Sequence, residues 1–129
     1  MTKDKDAKGP GRAVVLRALR SAMDKWRGLS LGRGEDRGVH NCQLCQLFYV
    51  NNVGGNCDGC PVDTYTGGGG CGPTPFHGWV RATGEVPRTA DTARARAWAY
   101  KEYAFLKEVR DAYLRKTAAA KRRKNEKKQ

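Results

Sequence analysis

The stretch HNCQLCQLFYVNNVGGNCDGCPVDTYTGGGGCG, residues 40–72, contains every cysteine of the chain. These residues are Cys42, Cys45, Cys57, Cys60 and Cys71. The first four form two Cys-x2-Cys pairs separated by eleven residues, a spacing that turns paired sulfurs toward one point about 2.3 Å away. The pattern therefore predicts a structural zinc site with four thiolates, set in a glycine-rich loop that has room for little regular structure.

The identity of the ligands and of the metal stays open in two respects. Cys71 follows four glycines, so its backbone can approach almost any neighbour, and it could replace Cys57 or Cys60. An iron–sulfur cluster also takes four cysteines and is the weaker alternative, because nothing in the sequence supplies a redox partner or a flavin site. We expect His40 and His77 to be loop histidines rather than ligands.

The sequence predicts no catalytic role for the metal. A four-thiolate zinc site is closed, whereas a catalytic zinc keeps an open position beside a general base. The chain has no HExxH motif, and the H-x-E pattern of zinc deaminases is missing at His77, which is followed by Gly78 and Trp79. The pair His40-Asn41 resembles part of a His-Asn-His nuclease motif, but the other histidines are missing. We therefore predict that the protein is not an enzyme.

The composition predicts one domain with a small core. Hydrophobic residues make up 39% and charged residues 29% of the 129 residues, and small cores are often reinforced by a metal or by disulfides. The charged start MTKDKD has no apolar run behind it, so we expect synthesis in the cytosol, where disulfides are rare. No stretch approaches the ~20 apolar residues of a membrane span, so no membrane partner is expected.

Two segments have the apolar periodicity of helices. The segment 12–27 places six apolar residues on one face and is predicted to stop at Gly28. These six are Val15, Leu16, Leu19, Ala22, Met23 and Trp26. The segment 89–114 lacks glycine and proline, and its helix is predicted to be capped by Thr89 or Asp91. Its apolar face comprises Ala95, Trp98, Ala99, Phe105, Leu106, Val109 and Tyr113. Glu102 falls inside this face and is a flaw in the pattern.

The predicted fold is mainly α, with two or three helices packed around a Cys/Gly-rich zinc-binding loop module and little β structure. Residues 28–38, which include four glycines, are predicted to be a linker. Residues 46–53 are the best strand candidate, because they are rich in aromatic and β-branched side chains. Residues 76–86 are a candidate for a second short strand or a turn.

These elements define a single metal-stapled domain at residues 12–114, with the cysteine module at 39–80. Residues 1–11 are charged and contain Gly-Pro-Gly, which predicts a disordered arm. Residues 115–129 are helix-permissive but have no apolar face to bury, so they are predicted to be a disordered basic tail unless a partner orders them.

The positive charge lies outside the cysteine module. The net charge is +12, yet no Lys or Arg occurs between Arg37 and Arg81, and residues 115–129 hold eight Lys or Arg against one Glu. Charge at that density binds polyanions without sequence preference and with strong salt dependence. The residues predicted to contact nucleic acid are Arg110, Arg115, Lys116, Lys121, Arg122, Arg123 and Lys124.

The apolar residues of the module allow two interpretations. Zinc modules that bind nucleic acid usually carry basic residues for the phosphates, and this module has none. It is better interpreted as a structural staple or as an exposed apolar knob for a protein partner. The candidates for the knob are Leu47, Phe48, Tyr49, Phe76 and Trp79. The alternative is that these side chains fill the small core beneath the metal.

The pattern CxLCxLF…NCDGCPVxxxTGxxxCxxTPFxxW resembles a group of small bacteriophage proteins, over about residues 39–110. The shared features are Cys42 to Cys45, Cys57 to Pro61, Thr66-Gly67, Cys71, Thr74-Pro75-Phe76, Trp79 and a helix string matching Glu102 to Leu106. The resemblance implies a phage origin, action in the host cytoplasm and a place for Cys71 within the metal module. It carries no activity over to this chain.

These observations predict a phage accessory protein with a structural zinc site. Its basic helix and tail would bind nucleic acid, or a nucleic-acid-handling protein complex of the host or phage. One alternative is a protein-binding inhibitor of a host enzyme or defence system, directed at an acidic host protein. Another is a virion or packaging component that contacts the genome. The sequence does not choose between DNA and RNA, and it leaves the oligomeric state open.

Overall fold

The computed structural model describes residues 11–49, 59–68 and 74–128, with the backbone alone for 121–128. The described residues form four α-helices: α1 (Arg12–Ser30), α2 (Pro61–Thr66), α3 (Pro75–Thr83) and α4 (Ala93–Lys128). Between α1 and α2 lie a 3-10 turn (Gly38–Asn41) and a π-helical turn (Cys45–Tyr49). The prediction of a mainly α fold is confirmed. Apart from Gly11, the predicted N-terminal arm lies outside the described residues.

Helix α1 confirms the predicted apolar face and extends further than predicted. The helix continues through Gly28 to Ser30, so Gly28 does not stop it. The Ser30 hydroxyl donates to the carbonyl of Arg27 at 2.6 Å, and Gly32 then turns the chain away with φ +84°. The buried residues of α1 are Val15, Ala18, Leu19, Ala22, Met23, Trp26 and Leu29.

Helix α3 occupies most of residues 76–86, where the sequence predicted a strand or a turn. That prediction was wrong because Thr74-Pro75 is a helix start: the Thr74 hydroxyl accepts a backbone N–H of the first turn at 3.2 Å, and Pro75 suits the first helical position. Helical spacing then turns Trp79 into the core, where its ring lies 5.1 Å from that of Trp26 in a T-shaped pair.

The other predicted strand, residues 46–53, is not extended where it is described. Cys45–Tyr49 form a helical turn, and residues 50–53 lie outside the described residues. Leu44 and Phe48 are four residues apart, and both are buried in the core. The apolar residues here follow helical rather than alternating spacing. Within the described residues, β structure is limited to one antiparallel bridge between Asp36 and Arg88.

Helix α4 begins and ends later than predicted. The hydroxyl of Thr92, not Thr89 or Asp91, caps it by accepting the backbone N–H of Ala95 at 3.0 Å. The helix continues past Leu114 to Lys128, so the prediction of a disordered tail is corrected for residues 115–128. Alanine, lysine and arginine dominate this segment, and all three favour helix. The buried residues of α4 are Ala95, Ala99, Glu102, Leu106 and Val109.

Helix α4 packs along α1 and against α3. The Arg12 guanidinium donates to the Thr117 hydroxyl at 2.9 Å, so the start of α1 lies beside the distal part of α4 and the two helices run antiparallel. Gly78 of α3 admits the indole of Trp98, since a Cβ at Gly78 would lie 2.4 Å from that ring. In the described part of the chain, no helix combines the length and hydropathy needed to cross a bilayer.

Candidate metal centre and nucleic-acid interface

Three of the five predicted metal ligands line one cavity of about 240 Å³. Cys42 follows the 3-10 turn, Cys45 opens the π-helical turn, and Cys60 is the residue before Pro61 at the start of α2. The backbone N–H of Cys45 donates to the Cys42 sulfur at 3.4 Å, so the Cys-x2-Cys segment is folded back on itself. Two short turns and a helix start thus bring Cys42, Cys45 and Cys60 to the same cavity.

The Cys42 thiol is set up to ionise. The side-chain hydrogen bond with Cys45 lowers the pKa of Cys42 to about 6, against the effect of burial. Backbone N–H groups of Cys45 and Leu44 and the positive charge of Lys25 act in the same direction. Because the thiolate is the form that binds metal, this environment suits Cys42 to the predicted role.

The complete ligand set is not contained in the described residues. Within residues 11–49, 59–68 and 74–128, no three His, Cys, Asp or Glu side chains form a group that could hold a metal ion. The predicted ligands Cys57 and Cys71 lie outside these ranges. His40 and His77 are exposed. A four-thiolate zinc site therefore remains a prediction that needs Cys57, Cys71 or both.

A buried carboxylate fixes the helices around this cavity. Asp36 is fully buried, and its Oδ1 accepts from Lys25 Nζ at 2.7 Å and from the Gly38 backbone N–H at 2.9 Å. Its Oδ2 accepts from Trp79 Nε1 at 2.9 Å and from Arg88 Nη1 at 2.8 Å. Burial alone would raise the pKa of Asp36, but the hydrogen bond and charge of Lys25, helped by the other donors, hold it below its usual value.

The same network positions the first cysteine pair. Lys25 Nζ also donates to Asn41 Oδ1 at 3.0 Å, and Asn41 Nδ2 donates to the backbone carbonyl of Glu35 at 2.9 Å. Asn41 directly precedes Cys42, so the hydrogen bonds of Asp36 and Asn41 set where the first thiol lies. The sequence prediction placed Asp36 in a linker and missed this role, because nothing local to Asp36 marks its partners on α1 and α3.

Glu102, the flaw in the apolar face of α4, lines the same cavity as Cys42, Cys45 and Cys60. Its side chain is buried at 3% exposure, and its Oε1 has no hydrogen-bond partner among the described residues. Burial, followed by the negative charge of Cys42, raises the pKa of Glu102 to about 7, although the backbone N–H of Phe76 opposes the shift. The sequence identified this position as anomalous but could not show that it faces a cavity.

Most of the module's apolar residues are not exposed, so the interpretation of these residues as an exposed knob is largely corrected. Trp79 and Phe48 are buried, and Phe76 and Leu47 are partly buried against the core. Only Tyr49 of the five is exposed, at 38%. The alternative interpretation, that these side chains fill a small core, describes four of the five.

The predicted nucleic-acid contacts lie on the distal part of α4. Arg110 is half-buried and pairs with Asp111 at 3.3 Å, whereas Arg115 and Lys116 are exposed. The other four contacts, Lys121, Arg122, Arg123 and Lys124, lie on helical backbone whose side chains are not described. The structure thus places all seven on one continuous helix.

Helix α1 adds cations that the sequence prediction did not assign to this surface. The Arg27 guanidinium and the Lys107 ammonium both lie over the Tyr103 ring, 5.9 Å and 5.8 Å from its centre. Arg12 and Arg20 are exposed, and with Arg27 they recur along one side of α1 at helical spacing. We call this surface the basic seam. The basic seam consists of Arg12, Arg20, Arg27, Tyr103, Lys107 and Arg110.

The basic seam could have been anticipated from the arginine-rich polar face of α1, had the antiparallel packing of α1 on α4 been known. Among the described residues, the ion pairs of this surface are limited to Arg110 with Asp111. Comparison of the chain with protein-family models, curated proteins and solved structures finds no match. A functional assignment therefore has to rest on the cysteine cavity and the basic seam.

Proposed function

We propose that the protein binds nucleic acid, or a protein complex that handles it, through the basic seam and the distal part of α4. The observation that carries this proposal is the convergence of exposed cations from two antiparallel helices. Arg12, Arg20 and Arg27 contribute from α1, and Lys107 contributes from α4. Because these cations lie on two helices that are already folded, they can contact successive phosphates without the entropic cost of ordering a loop.

The length of α4 supports the proposal. The last buried side chain described on this helix is Val109, yet the helix continues for nineteen residues to Lys128. At ~1.5 Å per residue, that extension is about 28 Å long. Nine Lys or Arg and two acids lie on it. A helix of this length and charge can contact several successive phosphates of a nucleic-acid backbone.

A structural zinc at the cysteine cavity completes the proposal. Cys42, Cys45 and Cys60, with Cys57 or Cys71, would hold it, and the bound metal would cross-link the turns before α2. The ready ionisation of Cys42 supports this ligand role. In line with the resemblance to phage proteins, we place this function in the cytoplasm of a bacterial host.

The alternative of a protein-binding inhibitor receives less support. It relied on an apolar knob presented by the cysteine module, and four of the five residues of that knob are wholly or partly buried. The described large apolar side chains that are exposed, Leu31, Tyr49, Tyr65, Val86 and Tyr100, come from separate elements. The basic seam is therefore a more extensive candidate interface than these scattered apolar side chains.

The test compares two triple variants that remove the same charge. One replaces Arg20, Arg27 and Lys107 of the basic seam with Gln, and the control replaces Arg33, Arg81 and Arg94, which are exposed elsewhere. Fluorescence anisotropy with labelled duplex DNA and single-stranded RNA gives Kd from 50 to 300 mM salt. We expect the seam variant to bind at least about tenfold more weakly at 0.1 M salt and to reduce the log Kd–log salt slope by about two to three.

The control variant is expected to lose much less affinity. Equal losses in the two variants would show that net charge alone matters and would contradict the basic seam. Absence of salt-dependent binding by the wild type would contradict nucleic-acid binding itself, and a pull-down from nuclease-treated lysate would then test the protein-partner alternative.

A further inference from the structure

The cavity beside the cysteine turns is lined by Cys42, Cys45 and Cys60 and by residues of α1, α3 and α4. We call the part that α1, α3 and α4 supply the helical wall. Four aromatic side chains, Trp26, Phe48, Tyr49 and Phe76, line it together with aliphatic residues. The cavity volume of about 240 Å³ is room for a small organic molecule.

The helical wall of the cavity is largely apolar. Trp26 packs edge-to-face against Phe76, with ring centres 6.0 Å apart, and Leu106 of α4 is buried beside them. Such walls favour a flat or short apolar body. They do not replace the hydration shell of an anion, so free phosphates and carboxylates are poor candidates for this space.

The polar side chains of the helical wall are satisfied with one exception. Lys25 and Arg88 line the cavity, but both donate to the carboxylate of Asp36. Glu102 also lines it, buried at 3% exposure, with no partner for Oε1 among the described residues. A buried carboxyl oxygen without a donor costs about 1–3 kcal/mol. An otherwise satisfied network with one unpaired acceptor facing a cavity indicates a ligand that supplies the donor.

The charges around the cavity select a cation. Asp36, which also lines this space, is already paired with Lys25 and Arg88. Glu102 is the buried acid of the cavity whose Oε1 has no donor among the described residues. Aromatic faces also attract ammonium groups. The polarity, size and charge of the cavity therefore all favour a small organic cation.

We propose that this cavity binds a small amine, in which an ammonium N–H donates to Glu102 Oε1 and an aromatic or short alkyl body packs against Trp26 and Phe76. The site is separate from the basic seam and does not depend on nucleic-acid binding. It shares a cavity with the predicted zinc ligands but uses residues of the helical wall.

The experiment titrates three probes of similar size into the full-length protein, purified with its metal under reducing conditions. The probes are benzylamine, toluene and benzoate. Protein NMR follows the Trp26 indole N–H and the backbone amide of Glu102. We expect benzylamine to shift both signals and to bind at least about tenfold more tightly than toluene, and benzoate to leave both signals unchanged.

Two variants on α4 locate the contact. Glu102→Gln keeps the size of the side chain and removes its charge, so benzylamine should bind about tenfold more weakly while toluene is unaffected. Glu108→Gln is the matched control, because Glu108 is exposed and accepts a hydrogen bond from the Tyr65 hydroxyl outside this cavity. Binding of benzylamine to this control should equal that of the wild type.

Three results would overturn the proposal. They are equal binding of benzylamine to Glu102→Gln and to the wild type, equal binding of toluene and benzylamine, and no shift of the Trp26 or Glu102 signals in folded wild-type protein. The wild-type titration needs no variant, so the proposal stays testable even if Glu102→Gln fails to fold.

Discussion

Helices α1, α3 and α4 meet through large buried side chains, whereas the segments that carry the cysteines are short elements that add Leu44, Phe48 and Val62 to the same core. Trp26, Trp79 and Leu106 are buried between the helices. In contrast, Cys45–Tyr49 is a single turn, α2 has six residues, and Cys42 and Cys45 are half-buried. The comparison teaches that side-chain packing and one buried ion network stabilise the helical part. For the short elements that carry the cysteines, we propose that a bound metal adds a cross-link.

Removal of the Asp36 carboxylate is expected to give the largest effect on the helical part. Asp36→Ala leaves Lys25 and Arg88, whose side chains are only 12% and 14% exposed, without their shared partner. Breaking a buried ion pair on one side typically costs about 3–5 kcal/mol. Urea denaturation followed by circular dichroism should show this loss in the free energy of unfolding.

The neighbouring residue provides the control for that variant. Glu35 pairs with Arg37 at the surface, so Glu35→Ala should change the free energy of unfolding by less than about 1 kcal/mol. A loss below about 1 kcal/mol in Asp36→Ala as well would mean that the helices do not depend on the buried network.

Gly78→Ala should be the next most disruptive change, because the new Cβ would lie 2.4 Å from the Trp98 indole. Overpacking of this kind costs about 1–3 kcal/mol or more. Gly28→Ala is the matched control: its new Cβ would approach nothing closer than 3.7 Å, and alanine favours helix over glycine by up to about 1 kcal/mol. The melting temperature should therefore fall for Gly78→Ala and stay level or rise for Gly28→Ala. The same response in both would contradict close packing of α3 on α4.

The packing just described also shows what the sequence could and could not predict. The apolar periodicity of residues 12–27 and 89–114 identified α1 and most of α4, because each buries one face. Residues 76–86 were assigned to a strand or turn, although Thr74-Pro75 carried a readable helix-start signal. Asp36 could not be found, since its partners Lys25, Trp79 and Arg88 are distant in sequence.

For the candidate site too, local sequence patterns could not reveal contacts between residues that are distant in the chain. Cysteine spacing predicted one site of Cys42, Cys45, Cys57 and Cys60, with Cys71 as a possible replacement for Cys57 or Cys60. Cys42, Cys45 and Cys60 line one cavity, and the metal site itself stays a prediction. The basic seam needed the antiparallel packing of α1 on α4, which no local pattern encodes. Glu102 was visible in the sequence as an interruption of an apolar face, but its position at a cavity depends on elements that are remote in the chain.

A gain in stability is expected from Glu102→Met. The pKa of Glu102 rises from 4.5 to about 7 in the folded protein, chiefly through burial. The folded state therefore binds the proton more tightly, and Glu102 destabilises the fold increasingly as the pH rises from about 4.5 through 7. Met removes this cost, which is on the order of 2 kcal/mol.

Urea denaturation at pH 5 and pH 8 checks the sign of this effect. The advantage of Glu102→Met over the wild type should be small at pH 5 and larger at pH 8. An advantage that shrinks as the pH rises, or a loss of stability at both pH values, would contradict a carboxyl group buried without a full set of partners.

The most direct test of the contrast between packed helices and a metal-held module is the metal content of the protein. The metal content is measured by elemental mass spectrometry on protein purified under reducing conditions. Reactive thiols are counted before and after chelation. The account predicts about one zinc per chain, thiols that become reactive only after chelation, and a lower melting temperature without metal. Protein without zinc, or with iron and visible absorbance, would contradict it.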